Sequence, residues 1–194
     1  MSEPYDELFL FIDGDWIDGT GRDTSAVLNP ATGEVIGRVP HARQGDLDRA
    51  LQAADRGFAL WRRTPAYDRA KVLRRAAGLL RERAEPIARQ LTLEQGKALH
   101  EAQYEVASSA DYFEWFAEEG RRVYGRTVPS RRPEVHQRVH KEPIGPVAAF
   151  AACRSPVRAG GRRVAPPADR SARARPRAEA RLVVTGRRPR PGPG

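Results

Sequence analysis

Along the first half of the chain the spacing of apolar positions changes from short runs broken by tight turns to long helical stripes. Leu8-Phe9-Leu10-Phe11-Ile12 is followed by Asp13-Gly14-Asp15 and then Trp16-Ile17. An Asp-Gly turn between apolar runs predicts a β-hairpin, because Gly14 adopts the positive φ that a two-residue hairpin loop demands. Val27-Leu28-Asn29-Pro30-Ala31-Thr32-Gly33-Glu34-Val35-Ile36-Gly37-Arg38-Val39-Pro40 repeats the design, with Asn-Pro opening a turn and Gly33 closing it.

Helical spacing takes over near residue 45. Gly45-Asp46-Leu47-Asp48 reads as an N-cap with an acidic first turn, and Leu47, Leu51, Ala54, Phe58 and Trp61 share one face. Pro65 opens a second helix with Ala70, Leu73, Ala77 and Leu80 as its stripe. The arginines 69, 74, 75, 81 and 83 of that helix read as a solvated face. Pro86, welcome in a first turn, sets a third helix from near Glu85 through Ile87, Leu91 and Leu93 to a stop at Gly96. A fourth helix is predicted over 98–123, with Tyr104, Ala107, Ala110, Phe113 and Phe116 or Ala117 facing the core and Gly125 and Pro129 ending it. Val135-His136-Gln137-Arg138-Val139-His140 alternates as a solvent-facing strand does, and its two histidines read as exposed strand residues rather than metal ligands. Glu142-Pro143-Ile144-Gly145-Pro146 then sets a turn, and Val147-Ala148-Ala149-Phe150 is a short run apolar on both faces, as expected of a first buried strand in a parallel sheet.

Charge divides the chain at the same point. Residues 1–150 carry 22 Lys and Arg against 23 Asp and Glu, whereas residues 151–194 carry 12 Arg against 2 acids. The overall charge of +9 therefore belongs to the tail. That tail has seven prolines and no Phe, Trp or Tyr, so it cannot build a core and is expected to be disordered. A nucleic-acid-binding tail is the rival reading, since arginines bind phosphate. The absence of aromatics for base stacking and of a nucleic-acid-binding fold before the tail argues against it. Cys153 is the single cysteine, which excludes an internal disulfide and a multi-cysteine metal site. Neither a signal peptide nor an apolar stretch of membrane-spanning length is read, so a cytoplasmic, soluble protein is expected.

Five of these segments, in order, carry a family likeness: Leu10-Phe11-Ile12-Asp13-Gly14-Asp15-Trp16; Asn29-Pro30-Ala31-Thr32-Gly33-Glu34-Val35-Ile36; Leu93-Glu94-Gln95-Gly96-Lys97; Phe113-Glu114-Trp115-Phe116-Ala117-Glu118-Glu119-Gly120-Arg121-Arg122-Val123-Tyr124-Gly125; and Glu142-Pro143-Ile144-Gly145-Pro146-Val147. Together they resemble the amino-terminal third of an NAD(P)-dependent aldehyde dehydrogenase, most similar to the succinate-semialdehyde dehydrogenase branch. The resemblance implies an α/β fold made of short antiparallel strands, several helices and the start of a Rossmann-like sheet. It divides the chain into amino-terminal strands and helices of the cofactor domain (8–134), an oligomerisation-type strand (135–142), a first Rossmann-like strand with the start of the next helix (143–167), and an Arg/Pro-rich tail (168–194). NAD or NADP is the implied cofactor, touched by backbone near Phe150 and Ala151, and an aldehyde is the implied substrate. Arg162 aligns with a residue that reads the substrate carboxylate, a task suited to a guanidinium. Phe113 and Trp115 fall on a helix whose aromatic residues flank the substrate tunnel, with core packing as the bland alternative. Residues 135–141 are the implied oligomerisation strand.

The chain departs from the family after Phe150. Where the family has a Thr-Pro-Trp-Asn-Phe-Pro loop, it reads Ala151-Ala152-Cys153-Arg154-Ser155-Pro156, so Arg154 replaces the Asn whose amide stabilises the oxyanion. Cys153 takes the Trp position and is not the nucleophile, and no residue is assigned as catalytic. Arg, Ala, Pro and Gly are the products of GC-rich codons, which suggests a frameshift. Arg177-Ala178-Glu179-Ala180-Arg181, written in suitable codons and read one base over, encodes the family's Val-Leu-Lys-Pro. The expectation is a truncated, inactive and aggregation-prone chain with exposed apolar faces on its second and fourth helices. A truncated paralogue that docks on full-length subunits is a further alternative.

Overall fold

The computed structural model describes Tyr5 and residues 7–149. The order is β1 (Leu10–Ile12), β2 (Asp15–Ile17), β3 (Thr24–Leu28), β4 (Val35–Pro40), α1 (Gln44–Trp61), α2 (Ala66–Glu82), α3 (Ala84–Gln95), α4 (Leu99–Glu119), β5 (Arg126–Val128) and β6 (Gln137–Val139). The strands form three separate antiparallel pairs, β1 with β2, β3 with β4 and β5 with β6.

Both amino-terminal hairpins form where their turn chemistry places them. Asp13 and Gly14 have φ of 54° and 88°, the pair of positive values that the Asp-Gly loop requires. Phe11 lies opposite Trp16 across the strands, and their rings sit 4.6 Å apart at a 45° tilt. In the second turn the Asn29 side chain accepts a hydrogen bond from the Ala31 amide at 2.9 Å, the local contact that makes Asn-Pro a turn opener.

Helix α1 starts earlier than its acidic turn suggests. Arg43 is the N-cap, and Asp46, at the third helical position, reaches back to accept the Arg43 amide at 2.7 Å. Asp46 is thus the return arm of the cap and not the cap itself. The Arg22 guanidinium binds the same carboxylate at 2.5 Å and ties the loop before β3 to α1. That hydrogen bond from Arg22, followed by the one from the Arg43 amide, lowers the Asp46 pKa below its ordinary value.

The main packing lies among α2, α3 and α4. Ala70 and Ala77 of α2 are buried, as are Ala102, Val106, Ala110 and Ala117 of α4, and small side chains let helix axes approach closely. Val106 packs in a cluster with Ala88, Leu91 and Ala102. The expected stripe on α4 is therefore displaced: Ala110 and Ala117 are inside, whereas Tyr104 is 72% exposed and Ala107 is also exposed. The α2 arginines are not a uniformly solvated face either. Arg81 bonds Asp111 at 2.8 Å and Glu114 at 2.6 Å, and Arg74 pairs with Glu118, so both stitch α2 to α4. Uncovered apolar side chains lie on α2 (Tyr67, Val72) and α4 (Tyr104, Trp115) as expected, and also on α1, which buries no residue completely and exposes Leu47, Leu51, Leu60 and Trp61. A patch of that kind favours association.

The Arg74 contact makes an acid-sensitive seam. Its hydrogen bond is the leading cause that holds Glu118 below the ordinary 4.5. A depressed carboxylate pKa adds stability that is present above the unfolded value and lost as pH falls through the folded one. The Tm difference between the parent chain and Arg74→Met is expected to be larger near about pH 7 than near about pH 3. A difference that stays constant between those conditions would exclude this pair as the source.

One carboxy-terminal expectation is corrected, and a second reaches beyond the described residues. α4 ends at Glu119, because Gly120 favours helix poorly and the amides of Arg121 and Arg122 close tighter turns on Glu118 and Glu119. The buried parallel strand at 147–150 does not form within the described residues: positions 141–149 hold no strand, and Ile144 and Val147 are 70% and 62% exposed. A parallel strand is stabilised only by neighbours that hydrogen-bond and cover it, and no described strand pairs there. Phe150 and all later positions lie outside the described residues.

Candidate functional site

Of the residues named for a site, only Phe113 and Trp115 fall among those described, and both are on α4. Phe150, Ala151 and Arg162, together with Cys153 and Arg154, lie outside.

Phe113 and Trp115 do not share a face. Residues two apart on an α-helix are separated by ~200° around its axis. Phe113 is accordingly half-buried on the side that meets the other helices, while Trp115 is 65% exposed. Trp115 instead stands above Tyr104, eleven positions earlier and only ~20° away around the axis. These two exposed aromatics stand about 16 Å apart along the axis, and the predicted stripe had Tyr104 facing inward. The signal was available in the spacing, since Ala102, Val106, Ala110 and Ala117 form an alternative stripe of smaller residues.

Around this face the charges are already committed. Asp111 and Glu114 both receive Arg81, and Glu118 accepts Arg74. Arg121 lies over the Tyr67 ring at 5.5 Å, with Lys71 over the same ring at 4.5 Å. The hydrogen bond from Arg74 holds the Glu118 carboxyl below its ordinary range, which makes it a poor general base. Among the described residues, no three His, Cys, Asp or Glu side chains gather where a metal ion could be held.

Nor do the described residues build a dinucleotide cradle of their own. Such a cradle places a glycine-rich turn at a helix N-terminus. Here the four helices start from Arg43, Pro65, Arg83 and Ala98.

The strand pairs, the four helices and the lead-in segment occur in this order in proteins of known structure. The Aldehyde dehydrogenase family model matches residues 16–168, and the chain belongs to that family. It is 47% identical over 148 residues to 4-(hydroxymethyl)benzenesulfonate dehydrogenase TsaD1 of Comamonas testosteroni, covering 76% of this chain and 31% of the relative. It is 41% identical over 139 residues to the succinate-semialdehyde dehydrogenase (NADP(+)) GabD of Escherichia coli K12, covering 72% and 29%. Its fold superposes on a crystal structure of an Escherichia coli NADP dependent enzyme with a TM-score of 0.74 and 38% identity, covering 79% of this chain and 33% of that one. The chain thus spans about a third of the length of the curated relatives it matches. Among the described residues, no helix is long and apolar enough to cross a membrane.

Proposed function

We propose that this chain is the amino-terminal part of an NAD(P)-dependent dehydrogenase for aldehydes that carry an anionic group, with succinate semialdehyde as the leading case. The observation that carries the reading is the family match over residues 16–168. The names of the relatives give it a substrate class, since a benzenesulfonate and a succinate semialdehyde each join the oxidisable carbon to an anion. Arg162 is the residue proposed to read that anion, by a charge-assisted pair with two parallel N–H donors. Trp115, on the exposed face of α4, is the substrate-side aromatic retained here, and Phe113 serves packing. When bound, NAD or NADP accepts the hydride that leaves the aldehyde carbon, and water supplies the oxygen of the product acid. The proposed contribution of this chain is backbone near Phe150 and Ala151 that receives the cofactor.

The 194 residues by themselves are proposed to be inactive. The family reaction needs a Cys nucleophile and a Glu general base. Cys153 stands at a cofactor-loop position, and no glutamate is matched to the base. Purified as these residues, the chain is expected to give no succinate-semialdehyde-dependent reduction of NAD or NADP above a blank, followed by absorbance. Substrate-dependent reduction that persists after repurification would overturn this proposal.

Residues 135–141 are proposed as the oligomerisation segment, which contains β6 of the β5–β6 hairpin. Every residue of both strands is exposed, and each strand keeps an outer edge free of a described partner. Such edges are templates for strand pairing.

A further inference from the structure

The 94–97 turn places a carboxylate and an ammonium side by side in sequence, residue types that could be assigned to chemistry. The structure commits both to packing contacts, Glu94 toward the second hairpin and Lys97 toward α4. Glu94 accepts the Tyr5 hydroxyl at 2.5 Å. The Tyr5 ring in turn lies against Gly37 of β4, where an added Cβ would come within 2.5 Å of ring atom Cε1. Gly96 caps α3 with φ of 66°, and an added Cβ there would sit 2.9 Å from Cγ of Pro30, in the turn between β3 and β4. Lys97 pairs with the buried Glu105 of α4. The end of α3 and the two residues after it therefore reach the second hairpin at two places, Pro30 in its turn directly and Gly37 within β4 through Tyr5, while Lys97 fastens them to the next helix. By contrast, the side-chain bonds between Thr24 and Arg38 and between Ser25 and His41 stay inside the hairpin region and do not hold it to the helices.

We infer that the 94–97 turn is a positioning lock that seats the β3–β4 hairpin on α3 and α4, with Tyr5 as its strap. Each residue has a separate part. Glu94 holds the strap, Gly96 leaves room for Pro30 in a conformation that side chains resist, and Lys97 anchors the turn.

The test is hydrogen exchange read by mass spectrometry on the full chain, comparing peptides from 24–40 with peptides from 102–117. Tyr5→Phe removes only the hydroxyl and is expected to speed exchange in 24–40 by about threefold to tenfold, with 102–117 unchanged. Gly96→Ala is expected to give a larger acceleration confined to the same peptides. If Gly96→Ala fails to fold, Tyr5→Phe alone decides. Unchanged exchange in 24–40 for Tyr5→Phe would overturn the inference. So would equal acceleration of both regions, or a hairpin already unprotected in the parent chain.

Discussion

Replacing Lys97 with methionine is expected to destabilise the chain by about 3–5 kcal/mol, because it strips the ammonium from a carboxylate held in the interior. Glu105 is buried to 3% side-chain exposure, and Lys97 reaches it from the turn before α4 with 23% of its own side chain exposed. A charge in that position was desolvated on folding, and removing the Lys97 ammonium takes away an ion pair that offsets part of that cost. The double replacement Lys97→Met with Glu105→Met is expected to recover most of the loss, since apolar groups of similar volume need no partner. Urea denaturation followed by circular dichroism gives both values. A single-variant loss below about 1 kcal/mol, or strictly additive effects in the double variant, would show that the pair carries little.

Val106→Asp is expected to cost about 4 kcal/mol or more. Val106 is fully buried among Ala88, Leu91 and Ala102, where a new carboxylate would have neither water nor a cation. Tyr104→Asp, two positions away on the same helix, is expected to stay within about 0.5 kcal/mol of the parent, because that side chain is 72% exposed. The pair of variants tests the rotational setting of α4. Comparable losses at both positions would mean that the helix is turned to bury Tyr104, as its aromatic spacing suggested.

The contrast between the two positions shows why that face was misread from sequence. Large aromatics carry the greatest apolar area, so Tyr104, Phe113 and Phe116 drew the predicted stripe toward themselves. The buried face of α4 is instead made of alanines, a serine, one valine and the ion-paired Glu105, because mostly small side chains let three helices approach closely. The α2 arginines were misjudged for a related reason. Their partners Asp111, Glu114 and Glu118 lie 30 to 44 positions away, beyond the reach of any local pattern. β5 was missed because a three-residue strand exposed along its whole length has no alternation to detect. The site residues fared less evenly. Phe113 and Trp115 were named together from a motif, and helical geometry separates them; Phe150, Ala151 and Arg162 rest on resemblance alone.

By itself the sequence determined the family and the local elements that announce it. The Asp13-Gly14 loop, the Asn29-Pro30 turn, the first-turn Pro86 and the Gly96 cap each act within a few residues, so their conformations follow from the side chains next to them. Only the tertiary structure decided which faces are buried, which arginines are spent on α4, and that the Glu94-Gln95-Gly96-Lys97 turn positions a hairpin. Those outcomes depend on side chains brought together from distant parts of the chain, where packing space and desolvation set the result.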